Sequence, residues 1–308
     1  MDEARYRVAE RALWKSLNVT PTEHMIELPS TGSSVRIQEI GQGDPVLFVH
    51  GGAVNGSSWA PLAAELSDFR CLLVDLPGCG LSPAPPKTYS EFEDFYLWAD
   101  DLVADVLDGV GVDSAPVICT SFGGYYAFRG AAAHPQRFDQ LVGAGAIFGS
   151  RMDHMPMVMR VGSIRPFAKL MARMPANRRV VRAMLRQIGL KDALKAGRVT
   201  GVFEEWFIAN MRHTDTLKNA VEVVPLVINM RGMVPEAVIS GDILGSISCP
   251  TKLIWGEADP MAGPDVARGF AVQLPDCDLE LWPESGHAPW IDHPDHAATS
   301  IRNFLRPS

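Results

Sequence analysis

The feature that most constrains this chain is a repeated alternation of short apolar runs with helical patterns. Val46–His50, Cys71–Asp75, Pro116–Cys119, Leu141–Ile147, Thr251–Trp255 and Leu279–Trp282 are each four to seven residues long and bounded by Gly, Pro or Asp. Nearly continuous apolar runs of that length suit strands covered on both faces. Between them Pro61–Leu66, Phe95–Val110, Gly124–His134, Pro264–Leu274 and His296–Leu305 carry helical spacing. The alternation predicts an α/β architecture, a mostly parallel central sheet with right-handed crossovers and flanking helices. Ahead of it, Met25–Leu28 and Val35–Ile40 alternate around Thr31-Gly32 and predict an antiparallel entry hairpin, while residues 4–17 read as an amphipathic leading helix.

One segment breaks the pattern. Residues 151–200 hold twelve Lys or Arg against only Asp153 and Asp192, so a chain of net charge −8 divides into a stretch of +10 and a remainder of −18. Seven of the thirteen methionines fall in the same fifty residues. A composition so foreign to its flanks marks an insertion or subdomain. A net acidic chain without a basic tail excludes nucleic acid as an expected partner. No apolar run approaches the roughly 18 residues that span a bilayer, and the opening Met1–Arg7 lacks the apolar core of a signal peptide. A soluble, cytoplasmic protein, monomeric or homodimeric, is therefore expected. The five cysteines (71, 79, 119, 249 and 277) are scattered singly, and the eight histidines show no closely spaced ligand pair, which predicts reduced thiols, no metal and no cofactor.

The stretch Pro116-Val-Ile-Cys-Thr-Ser121-Phe-Gly-Gly runs an apolar strand directly into a serine and then a helix. A sharp strand-to-helix corner strains its central residue and crowds the positions two before and two after it. Gly123 meets that demand fully, and Cys119 meets it approximately. Were Cys119 the nucleophile, Val117 and Ser121 would be the crowding positions and the thiol would sit inside the strand, so Ser121 is preferred. A serine alone is a weak nucleophile and needs a base held by a carboxylate. Asp259 follows the run ending at Trp255, and His287 follows the run ending at Trp282, which places both in loops at the carboxyl edge of the sheet. Glu257 and Asp153 are the competing acids; Asp259 is favoured because it lies deeper in its loop and precedes Pro260. The oxyanion formed by attack needs two donors. The amide of Phe122 is one candidate, and the Gly51-Gly52-Ala53 turn supplies the other, Gly52 first and Ala53 next.

Taken in order, His50-Gly51-Gly52, Asp75-Leu-Pro-Gly-Cys-Gly-Leu-Ser82, the corner at Ser121, Gly256-Glu-Ala-Asp259 and Gly286-His287-Ala-Pro resemble the α/β-hydrolase family over roughly residues 25–306. Cys119 stands where that family usually has glycine. Serine rather than aspartate at 121 separates the chain from the family's haloalkane dehalogenases and epoxide hydrolases. The resemblance implies a helical cap inserted after the sixth strand, where the basic, methionine-rich segment begins. The expected organisation is an N-terminal helical extension (1–24), a hydrolase core (25–149 and 246–308) and a cap (150–245).

The expected activity is hydrolysis of a carboxylic ester through an acyl-enzyme. The resemblance also admits hydrolysis of carbon–carbon bonds in ring-cleavage diketo acids, and lactonase, acyltransferase and perhydrolase activities, and a receptor built on a hydrolase scaffold is the non-enzymatic alternative. Methionines suit a variable apolar group, and Arg160 or Arg165 early in the cap could hold a substrate carboxylate, a combination that fits a monoalkyl phthalate-type monoester. Phe122, Phe148, Trp206 and Trp290 are candidate pocket walls; Trp59 and Trp255 read as core. The polar stretch Arg212–Thr216 reads as a helix cap or interhelical turn.

Overall fold

The structure is a computed structural model that describes residues 1–30, 32–85, 92–152, 157–172 and 176–306. The chain opens with α1 (Glu3–Ser16), whose first turn is capped by the Asp2 side chain on the Arg5 amide. The hairpin β1 (Thr22–Leu28) and β2 (Ser33–Ile40) follows, its first strand starting at Thr22, inside the expected extension. Then come β3 (Pro45–Val49), α2 (Ala60–Glu65), β4 (Arg70–Val74), α3 (Phe92–Gly109), β5 (Ala115–Thr120), α4 (Ser121–Ala133) and β6 (Phe138–Ile147).

After β6 the chain leaves the sheet. It forms α5 (Met157–Gly162), α6 (Arg165–Ala172), α7 (Arg178–Gln187), α8 (Lys191–Lys195), α9 (Gly201–His213) and α10 (Thr216–Val227). A two-residue hairpin, β7 (Ile228–Asn229) and β8 (Gly232–Met233), and α11 (Gly241–Gly245) complete this helical insert. The sheet resumes with β9 (Thr251–Gly256), α12 (Pro264–Ala271), β10 (Cys277–Trp282), α13 (Pro289–Asp292) and α14 (Pro294–Leu305).

Eight strands pair in the order β1-β2-β4-β3-β5-β6-β9-β10. β1, β2 and β4 pair antiparallel; every other neighbour in this sheet is parallel. Successive side chains of a strand point to opposite faces, so a run apolar at every position must be covered twice. In β3, Leu47 and Val49 face a core shared with α3, α4 and α12, while Val46 and Phe48 face a second core shared with α1, α2 and α14. Since β3 and β5 lie side by side mid-sheet and parallel, the loops after them emerge together at the carboxyl edge, and those after β6, β9 and β10 join them. Among the described residues no helix is long and apolar enough to cross a membrane.

Candidate active site

Ser121 sits at the corner between β5 and α4 with φ +48°, a left-handed conformation that a non-glycine residue adopts only when its surroundings impose it. The imposing contacts are those of a crowded strand-to-helix corner. A Cβ on Gly123 would meet the carbonyl oxygens of Val49 and His50 at 2.4 Å, so only glycine fits there. A Cβ on Gly51 would stand 3.1 Å from that of Ser121, so the turn after β3 is pressed against the serine. Cys119 is tolerated at the other crowded position because its register partner on β6 is Gly143, which leaves room for a small side chain; its thiol donates to the Val142 carbonyl at 3.4 Å. Complete burial pushes the Cys119 thiol far up from the ordinary range, leaving an inert packing group rather than a nucleophile.

The loop after β10 is drawn against β9 and β6 by two glycines. A Cβ on Gly256 would strike the Ser285 and Gly286 carbonyls at 2.2 and 2.3 Å, and one on Gly145 would strike the His287 carbonyl at 2.2 Å. Their close approach brings His287 Nδ1 to 2.7 Å from Asp259 Oδ2. The Asp259 carboxylate also accepts from the amides of Ala146 (3.1 Å) and Met261 (2.9 Å), so its orientation is set by two backbone donors besides the imidazole. Glu257, two residues earlier, is exposed. Asp153 lies outside the described residues.

Asp292, which no sequence motif singles out, supports the histidine loop. Its Oδ2 accepts from the Gly286 amide at 2.8 Å and the Ser285 hydroxyl at 3.2 Å, and burial raises its carboxyl above the usual range. The only linear signal is its closeness to His287, which does not distinguish it from an ordinary turn acid.

Across the sheet edge, Gly52 packs beside Phe122: a Cβ built on it would lie 3.8 Å from that of Phe122. Thus the two candidate donor segments are neighbours on the serine side of the sheet. Ala53 is left-handed, with φ +61°. The turn is anchored by His50, which is completely buried and accepts from the Leu76 amide at Nε2 (3.0 Å), so Nδ1 carries the proton and donates to Gly51 O at 2.7 Å. Burial lowers the His50 pKa to about 4, keeping the ring neutral.

Phe148 is buried with its ring 4.9 Å from that of Phe122, and Tyr125 and Tyr126 extend this aromatic group beneath the serine. Met152 and Met159 pack against the same core; Met155 and Met174 lie outside the described residues. Trp206 and Trp290, expected at the pocket wall, occupy packed interfaces instead. Trp206 is fully buried on α9 between Phe203 and Phe207, and its indole N–H donates to the Tyr6 hydroxyl of α1 at 3.2 Å. Trp290 packs on Trp59 with ring centroids 4.2 Å apart and the planes tilted by 32°. Arg160 on α5 is half-buried, whereas Arg165 on α6 is exposed and pairs with Glu222 at 3.9 Å. Thr214 and Thr216 turn inward between α9 and α10, the interhelical role expected of that stretch. All five cysteines are free thiols, and no metal-ligating group of His, Cys, Asp and Glu occurs among the described residues.

With this geometry in hand, known proteins give it a family. The profile of the alpha/beta hydrolase family matches residues 46–298. A pimeloyl-[acyl-carrier protein] methyl ester esterase of Chromobacterium violaceum is 29% identical over 275 residues, covering 87% of this chain and 97% of that protein. A 2-hydroxy-6-oxo-6-phenylhexa-2,4-dienoate hydrolase of Burkholderia cepacia is 25% identical, covering 94% and 98%. Naproxen esterase from Bacillus subtilis superposes with a TM-score of 0.73 at 18% identity, covering 99% of both chains, which shows the shared fold. The β5–Ser121–α4 corner, the eight-stranded sheet and the match across 46–298 together make this chain a hydrolase belonging to the alpha/beta hydrolase family.

Proposed function

We propose that the chain is a serine-dependent carboxylic-ester hydrolase with Ser121, His287 and Asp259 as its triad. The observation that carries this reading is the 2.7 Å bond from His287 to a fully oriented Asp259 on the sheet edge where Ser121 is held at its strained corner. In the reaction His287 takes the Ser121 proton through Nε2 as the hydroxyl attacks the acyl carbon. Asp259, bound to Nδ1, fixes the tautomer and stabilises the imidazolium. The amides of Phe122 and Gly52, or of Ala53 beside it, hold the oxyanion. The imidazolium then protonates the leaving alcohol. Water, deprotonated by the same ring, attacks the acyl-enzyme, and collapse returns Ser121 and releases the carboxylic acid. No step calls for a cofactor.

The substrate is a small ester with an apolar group set against the Phe122–Phe148 aromatics and an anionic acyl part near the half-buried Arg160, of which a monoalkyl phthalate is an example. Arg165, exposed on α6, is the weaker candidate for that anion. A second reading is favoured by one observation, the relative from Burkholderia cepacia: hydrolysis of the carbon–carbon bond in a ring-cleavage diketo acid, which also presents an anion.

The test is covalent labelling by a fluorophosphonate together with a chromogenic ester panel varied in acyl charge and alcohol length. Labelling that disappears in Ser121→Ala, with ester turnover falling about 10,000-fold or more, supports the reading. Labelling unaffected by the substitution overturns it. Turnover of ring-cleavage products with inert esters selects the second reading.

A further inference from the structure

The donor turn is glycine-rich and would be loose on its own, since Gly51-Gly52 has few intrinsic restraints and Ala53 carries a strain cost for φ +61°. Oxyanion donors must nevertheless be held to within tenths of an ångström of the developing charge. His50 pins the turn from the body of the protein; the remaining pin comes from the insert. Asn210, completely buried on α9, donates from Nδ2 to the Ala53 carbonyl at 3.2 Å. Its amide has a defined orientation: Oδ1 accepts from Asn55 Nδ2 at 3.0 Å and lies 3.2 Å from the Thr216 hydroxyl, which leaves Nδ2 facing Ala53. Asn55 in turn donates to the Tyr6 hydroxyl at 2.7 Å and caps the Ser57 amide at 3.0 Å.

The same half of the insert touches the other catalytic loop. Between α7 and α8 the Ile188 carbonyl accepts from the His287 amide at 2.9 Å. Gly189, with φ +88°, lies so close that a Cβ there would meet the Gly286 Cα at 2.8 Å and the Ala258 carbonyl at 3.1 Å. One rigid unit therefore reaches both the oxyanion turn and the histidine loop, which are far apart in sequence.

We infer that the α7–α9 half of the insert positions the catalytic loops, with Asn210 as the positioning residue for the oxyanion turn. This rests on the serine-hydrolase reading. Asn210→Asp retains the volume and the Oδ1 acceptor and removes the donor to Ala53. The expected result is a labelling rate for Ser121 with a fluorophosphonate, and an affinity for a trifluoromethyl ketone that forms an oxyanion adduct, both reduced about 10- to 100-fold with KM within about twofold. A purely packing role would lower melting temperature and leave the ketone affinity untouched. If Asn210→Asp does not fold, Gly189→Ala tests the other contact: a folded variant should show the same loss of labelling rate at unchanged KM. Equal labelling of wild type and the folded variant overturns the inference alone. A wild type that takes no label overturns the serine-hydrolase reading and the inference with it.

Discussion

The two halves of the helical insert are built from the same stretch of chain and behave as different materials. In the α7–α9 half, Val181, Leu185, Leu190, Phe203 and Trp206 are buried in one core with Tyr6, Leu13 and Trp14 of α1. Arg178 and Arg182 close its outer edge on the buried Glu204. The α5–α6 half, continued by the β7–β8 hairpin, instead exposes Met157, Ile164, Phe167, Leu170 and Met230, five of the nine large apolar side chains exposed among the described residues. The first half bonds directly to the loops that carry Ala53 and His287; in the second, Met159 packs against the sheet core while its neighbours on α5 and α6 stay exposed. If Arg160 holds the substrate anion and Asn210 the oxyanion turn, as proposed, substrate choice lies in one half of the insert and catalytic positioning in the other.

That contrast can be broken or sharpened by measurement. The largest expected effect lies in the frame, at His50. Its pKa is about 4 in the folded chain against an ordinary value near 6.5, so its contribution is complete above pH 6.5 and is lost as pH falls toward 4, where the unfolded chain binds the proton more readily. The total is about 3 kcal/mol. Unfolding free energies measured across that window should fall less steeply in His50→Gln than in wild type; parallel slopes would remove His50 from the frame.

Next, Gly189→Ala places a methyl group against Gly286 in a left-handed conformation and should cost about 2 kcal/mol in denaturant unfolding. Wild-type stability would show that the α7–α8 corner yields easily. On the variable side, Arg160→Gln should lower kcat/KM for an anionic monoester about tenfold relative to the neutral diester, the loss of roughly one charge-assisted hydrogen bond. An unchanged ratio would move the anion site elsewhere. The smallest effect on stability is expected for Phe167→Ser with Leu170→Ser, within about 0.5 kcal/mol because both side chains are already exposed. A large loss would mean that the α5–α6 half is packed into the frame no less than its neighbour.

Much of the fold is written locally. β3, β4, β5 and β9 are short, mostly apolar runs, and the corner at Ser121 is visible because steric crowding demands small residues at fixed offsets. α4 nevertheless begins at Ser121 rather than at the expected Gly124, since the corner residue itself opens the helix. Trp206 shows the limit of composition. An aromatic residue in the insert suits a pocket wall or a core equally well, and only the docking of α1 on α9 places it in a core.

The sequence by itself determined the strand–helix alternation, the order of serine, acid and histidine, and the foreign composition of residues 151–200, all of which arise from periodicity and short-range sterics. Tertiary structure alone decided that Asp292 steadies the histidine loop, and that Asn210 and Ile188 brace loops distant from them in sequence. Those contacts depend on how separately formed elements pack, and a hydrogen bond between residues far apart in the chain leaves no period or spacing by which it could be read beforehand.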